Sequence, residues 1–259
     1  MNYDNRYSGN SLERIRRMQG TTACQNTFAN WMQQNSVRAL EAISDNNLSF
    51  GTLFILKDKI YEHKVQEQLN NQSRLALRLC EKMCAAKNEE ASSEQINLKN
   101  NEARDALYWM FKTGVADDGI DPKFDHILDI SAGILIKQHQ EYAILPDAAR
   151  IIFARNRRGS FYHDMVWAFF QQREARSLRY IAEYLRSSNP KDNELARMLL
   201  HVTENEAGEF PADRHKQHAS YMAWLAENEP YLSLTGDTFQ FTNAPNPCEV
   251  DLEAKYIGK

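Results

Sequence analysis

Apolar residues recur at three- and four-residue intervals along most of the chain, the spacing that places them on one face of an α-helix. Within residues 11–45 the sets Phe28, Trp31, Met32 and Val37, Leu40, Ile43 predict two helices. From Ser49 the positions Leu53, Leu56, Ile60, Val65 and Leu69, then Leu75, Leu79 and Met83, run on with no Pro or Gly over residues 52–86. That stretch predicts one long amphipathic helix, or two broken near Asn70-Asn71, with a seam that must pack against something. Residues 87–101, KNEEASSEQINLKNN, lose the stripe and read as a polar linker.

Beyond the linker the pattern becomes a series of helices separated by short turns. Ala106, Leu107, Trp109, Met110 and Phe111 mark a helix over 102–113, ended by two glycines and a proline before residue 123. Phe124, Ile127, Leu128, Ile134 and Leu135 mark 123–139, and Pro146 suits the first turn of a helix over 146–155. Arg157-Arg158-Gly159 then breaks the chain, and Ser160 is placed to cap a helix over 161–172. Met165, Val166, Trp167, Phe169 and Phe170 make that helix apolar nearly all round, as a buried helix would be. Helices over 174–186, 192–202 and 213–227 follow, with a turn at residues 187–192 between the first two. Near the end Thr238, Phe239, Gln240, Phe241 and Thr242 alternate with period two, which predicts a short hairpin or extended arm.

The expected fold is therefore all-α: an irregular helical-repeat, HEAT-like α-solenoid or a helical bundle, with a short extended or hairpin C-terminal arm. The expected division is an N-terminal helical region over 1–88, a linker over 89–101, a helical-repeat body over 102–228 and an arm over 229–259.

Composition narrows the class. The 259 residues are 42% hydrophobic and 25% charged with 10 Gly and 7 Pro, which excludes collagen-like and wholly disordered chains. The longest apolar runs, residues 134–136 and 165–170, fall far short of the roughly 20 residues that span a bilayer. The arginines near the N-terminus are followed by no apolar core of a secretory signal, so a cytoplasmic location and no membrane association are expected. Four cysteines in a chain of this length do not make a disulfide framework.

Charge changes the picture most. A formal net charge of −4 removes the global positive excess of a general nucleic-acid coater. Yet residues 148–186 hold Arg150, Arg155, Arg157, Arg158, Arg173, Arg176, Arg179 and Arg186, eight of the 18 arginines and no lysine, against Asp164, Glu174 and Glu183. Arginine's planar fork makes bidentate bonds to carboxylate or phosphate and stacks on aromatic rings. Arg155, Arg157 and Arg158 stand just before Gly159-Ser160 and an expected helix N-terminus, whose backbone N–H groups and dipole would also favour an anion. Three readings follow: internal pairing, with the acidic segment 89–129 as one source of carboxylates; an acidic protein partner; and, less favoured, nucleic acid or another phosphate ligand. The candidate binding residues are Arg150, Arg155, Arg157, Arg158, Ser160, Arg173, Arg176 and Arg179, with Tyr162, Trp167 and Tyr180 as aromatic neighbours. Arg157-Arg158-Gly159-Ser160 also matches a short basophilic kinase pattern.

Other constellations point less clearly to chemistry. His163-Asp164 resembles the doublet of HD-domain phosphohydrolases, and His126 with Asp192 or Asp213 would complete such a metal set. Met165-Val166-Trp167 stands where that family has a small polar turn, and an acid at a helix start also suits the dipole. Cys80 and Cys84, four residues apart, offer two thiols but no further zinc ligand at the usual spacing. His215 and His218 read as a solvated helix start. Asp117-Asp118-Gly119-Ile120-Asp121 is similar to a cation loop, but Ile120 and Leu128 occupy positions where an EF-hand needs oxygen ligands. No Gly-rich phosphate loop, Gly-x-Ser-x-Gly elbow or His-Glu-x-x-His pair occurs. The expectation is a helical adaptor or scaffold that binds a protein partner or itself, without catalytic residue, metal or cofactor; phosphate or nucleic-acid binding at 155–160 is the alternative and HD-type hydrolysis the second.

Overall fold

The structure is a computed structural model describing residues 11–85, 98–160, 164–172, 174–202, 212–234 and 246–257. It is all-α, with one small sheet. The chain forms two compact units, residues 1–131 and 132–259, and the division falls inside a helix.

The first unit holds α1 (Ser11–Gln19), α2 (Thr21–Gln34), α3 (Ser36–Ser44), α4 (Phe50–Glu62), α5 (Asn71–Ala85), α6 (Asn101–Gly114) and the start of α7 (Pro122–His139). Residues 11–45 thus make three helices where the apolar spacing predicted two. Gly20, at φ 93, closes α1 by donating its N–H to Arg16 O, and Asn35 begins α3 by accepting the Arg38 N–H. Of the one long helix or the two broken near Asn70-Asn71 that the next stripe predicted, the chain forms the two, α4 and α5. Lys64 adopts φ 56, and the bonds Lys64 N–H to Tyr61 O and Val65 N–H to Ile60 O close α4 as a C-cap usually built on glycine. Asn70 then starts α5 by accepting from Ser73 N.

The core of this unit is aromatic. Phe50 stacks on Phe124 at 5.2 Å between ring centroids, and Phe54 meets the same ring edge-on at 5.1 Å. Leu53, Leu56, Ile60, Leu79 and Met83 are buried around them, so the stripes of α4 and α5 are used within the unit. The turn Val115–Asp117 leads into α7, with Asp121 accepting from Lys123 N in its first turn.

The second unit holds the end of α7, α8 (Leu145–Arg157), α9 (Asp164–Phe170), α10 (Arg176–Ala182), α11 (Pro190–Leu199), α12 (Arg214–Asn228), strands β1 (Leu232–Leu234) and β2 (Cys248–Val250), and α13 (Leu252–Ile257). Pro146 lies in the first turn of α8, as expected, and α8 packs against α9, α10 and α11. Met165, Val166, Ala168, Phe169 and Phe170 are buried, which explains why α9 is apolar nearly all round. Pro190, read as part of a turn, instead starts α11 after the cap Asn189. β1 and β2 pair antiparallel, Leu232 opposite Val250. The alternating residues 238–242 lie outside the described residues, as do 87–97 of the expected linker. The short α13 has no counterpart in the sequence reading.

Candidate functional site

The arginine-rich stretch is organised around α8. Its last turn carries Arg155 and Arg157, with Arg158 at the cap, where cations complement the negative end of the helix dipole. The N–H groups of Arg158, Gly159 and Ser160 turn back onto carbonyls of α8: Gly159 to Asn156 O and Ser160 to Arg155 O, both at 2.9 Å. Gly159 takes φ 88 to make that closure. The N–H groups of residues 158–160 are therefore occupied in ending a helix, and the Ser160 N–H belongs to the close of α8. Those of residues 161–163, where the next helix was expected to begin and which the Ser160 side chain was expected to cap, lie outside the described residues. Arg155 is only 5% exposed and so belongs to the interior.

Arg157 reaches across to α11. Its Nε and Nη2 donate to the two oxygens of Asp192 at 2.8 and 2.5 Å, and Ser187 Oγ donates to Asp192 Oδ2 at 2.6 Å. Asp192 is fully buried in the first turn of α11. Burial pushes its carboxyl up, but the bonds from Arg157 and Ser187 outweigh this and hold it below the ordinary aspartate value. Lys191 Nζ donates to Arg157 O at 3.1 Å, and Asn156 Nδ2 to Lys191 O at 3.0 Å, so the α8–α11 contact is stitched by polar bonds on both sides. Beside it, Tyr184 lies flat on Phe153, ring centroids 3.5 Å apart.

The remaining arginines follow one plan. Arg150 pairs with Asp147 at 3.2 Å, Arg176 with Glu174 at 2.5 Å, Arg179 with Glu229 and Arg186 with Glu183. Arg176 also lies over the Tyr142 ring at 4.9 Å. With Arg157, these five side chains are 44–50% exposed. Each is oriented by a carboxylate of the same unit and still presents about half of its surface to water. Trp167 and Tyr180 are half-buried, and Arg173 and Tyr162 lie outside the described residues. Tyr142 lies against Arg176 and Tyr184 against the α8 surface, and neither ring stood out in the sequence. Only a tertiary contact could have pointed to them.

A second polar centre, also missed from sequence, lies in the first unit. Arg16 donates from Nη1 and Nη2 to both Asp117 oxygens at 2.8 and 2.9 Å, from Nη2 to Glu13 Oε1 at 2.9 Å and from Nε to Thr52 Oγ1 at 2.7 Å. Glu13 also accepts from Arg17 Nε at 2.5 Å, from Ser49 Oγ at 2.6 Å and from the Thr52 hydroxyl. Glu13 is fully buried, and Arg16 and Asp117 nearly so. Burial raises the Glu13 carboxyl, yet Arg16 and these donors hold it below the ordinary glutamate value. Gly51 makes room for the cluster: a Cβ there would lie 2.0 Å from Asp117 Oδ2. Asp117 thus faces Arg16 and is not part of a cation loop, and the neighbouring Asp125 accepts the Gly119 N–H. With each carboxylate bonded to a protein donor, the centre fastens α1 to α4 and the turn before α7.

Among the described residues no group of three or more His, Cys, Asp or Glu is placed to hold a metal ion; His163 lies outside them. The four cysteines are unpaired, and burial pushes the Cys80 thiol well above its usual range. His218 Nε2 lies 3.2 Å from Glu183 Oε1, and His215 is exposed. A groove of about 490 Å³ between α5 and α6 is lined by Arg74 and Arg78 on one side and Glu102 and Asp105 on the other, both signs together. Among the described residues no helix is long and apolar enough to cross a membrane. No family model matches the chain, and neither curated proteins nor solved structures give a match, so the site rests on its own geometry.

Proposed function

We propose that the protein is a helical adaptor or scaffold that binds a protein partner through the arginine-bearing surface of its second unit. The observation that carries this reading is the set Arg150, Arg157, Arg176, Arg179 and Arg186, each fixed by a carboxylate and each half in solvent. Guanidiniums held in place lose less entropy on binding than free ones, and arginine is enriched at the centres of protein interfaces. The unpaired thiols suit a reducing compartment such as the cytoplasm. A second copy of this chain is one possible partner.

Quantitative capture from a lysate with the intact protein and its Arg176→Glu/Arg179→Glu variant tests the reading. At least one partner is expected to be lost by about tenfold or more in the variant, and to be released as salt rises. A set of captured proteins unchanged by the charge reversal, with helix content intact by circular dichroism, would overturn it.

A further inference from the structure

Tyr184 sits in the turn Glu183–Arg186 after α10, and its ring stacks on Phe153 with the planes 6° apart. On α8, Phe153 stands three residues after Arg150 and four before Arg157, so the Tyr184 ring lies against the helix face that carries both arginines. The charges of Arg157, Asp192 and Arg150 all reach it. Burial keeps the phenol neutral and able to donate, yet its hydroxyl has no hydrogen-bond partner among the described residues. Arg157 spends Nε and Nη2 on Asp192, while Arg150 holds Asp147 through Nη2. Over residues 147–158 and 191–192 the cations Arg150, Arg155, Arg157, Arg158 and Lys191 outnumber the carboxylates Asp147 and Asp192.

We infer that this strip of α8 binds an acidic segment of the partner, two of whose carboxylates sit on Arg150 and Arg157 while an acceptor between them takes the Tyr184 hydroxyl. The inference rests on the adaptor reading and adds the chemistry of the partner. Seven residues of helix separate the guanidinium roots by about 10.5 Å. Acidic residues three apart on a segment in the polyproline II conformation share a face and span nearly the same distance, at about 3.1 Å per residue. Carboxylates suit the strip better than phosphate. The excess of positive charge is small, the backbone N–H groups at 158–160 are occupied, and the C-terminal dipole of α8 opposes a dianion more than a monoanion.

The test titrates an acetylated and amidated Gly-Glu-Gly-Gly-Glu-Gly peptide into the full chain and follows arginine Nε–H and tyrosine ring signals by NMR. Inorganic phosphate at matched ionic strength is the second arm. The inference expects saturable shifts confined to Arg150, Arg157 and Tyr184. It expects Arg150→Gln and Tyr184→Phe each to weaken binding by about threefold to tenfold, the effect of one lost hydrogen bond. Tyr184→Phe keeps the stack on Phe153, so a wild-type affinity in that variant would overturn the role of the hydroxyl. Equal shifts at the exposed Arg14, Arg38 and Arg78, or phosphate acting at lower concentration than the peptide, would overturn the acidic-segment site. In the capture experiment, loss with Arg176→Glu/Arg179→Glu but retention with Arg150→Gln/Tyr184→Phe would remove this strip and leave the adaptor reading standing. Retention by both variants would remove the two together.

Discussion

Single atoms decide much at two positions. Gly51 has Asp117 Oδ2 where a Cβ would stand, so Gly51→Ala must displace a carboxylate bound bidentately by Arg16. Urea unfolding is expected to show a loss of about 3 kcal/mol, the range for disturbing a buried ion pair. Asp192 is the second position. Its carboxyl is held below the ordinary aspartate value of 3.8, so the stability it contributes is full above that pH and is lost as pH falls through the lower folded value. The stability difference between wild type and Asp192→Asn is therefore expected to be largest near neutrality, about 1–3 kcal/mol with Arg157 half in water, and to shrink below pH 4. Urea midpoints measured from pH 2 to pH 7 check this, and a difference that grows on acidification would contradict it. Neither centre was legible in the sequence. Arg16 and Asp117 are 101 residues apart and Arg157 and Asp192 35 apart, and a local charge pattern carries no sign of which distant carboxylate will meet which guanidinium.

At the scale of the element, apolar spacing was a good guide because nearly every helix buries one stripe. Phe124, Ile127, Leu128 and Leu135 line one side of α7, and Leu195 and Leu199 are the buried side of α11. Helix ends were less legible. Lys64 and His201 take positive φ with no glycine to announce it, and Asn35 both ends α2 and caps α3. Lys64→Gly removes the cost of a side chain in the left-handed region and is expected to raise stability by up to about 1 kcal/mol in the same unfolding assay. A loss would mean that the Lys64 side chain contributes more than its backbone costs. The N–H groups of residues 158–160 close α8, and the arginines there answer its carbonyl end.

For the whole molecule, the net charge of −4 conceals an acidic stretch over 89–129 and an arginine stretch over 148–186. The structure turns the second into a set of guanidiniums each tied to a carboxylate of its own unit, which lowers the local excess while leaving the surface arginine-rich. Such a surface favours a selective partner over indiscriminate polyanion binding, and its affinity is expected to fall as salt rises, though less steeply than that of a polyanion binder. Arginine-selective dicarbonyl footprinting of the free and partner-bound protein, read by mass spectrometry, tests this most directly. Protection on binding is expected at Arg150, Arg157, Arg176 and Arg179, with Arg14, Arg38 and Arg78 modified equally in both states. Protection of the latter three with the four arginines of the second unit unchanged would contradict the assignment.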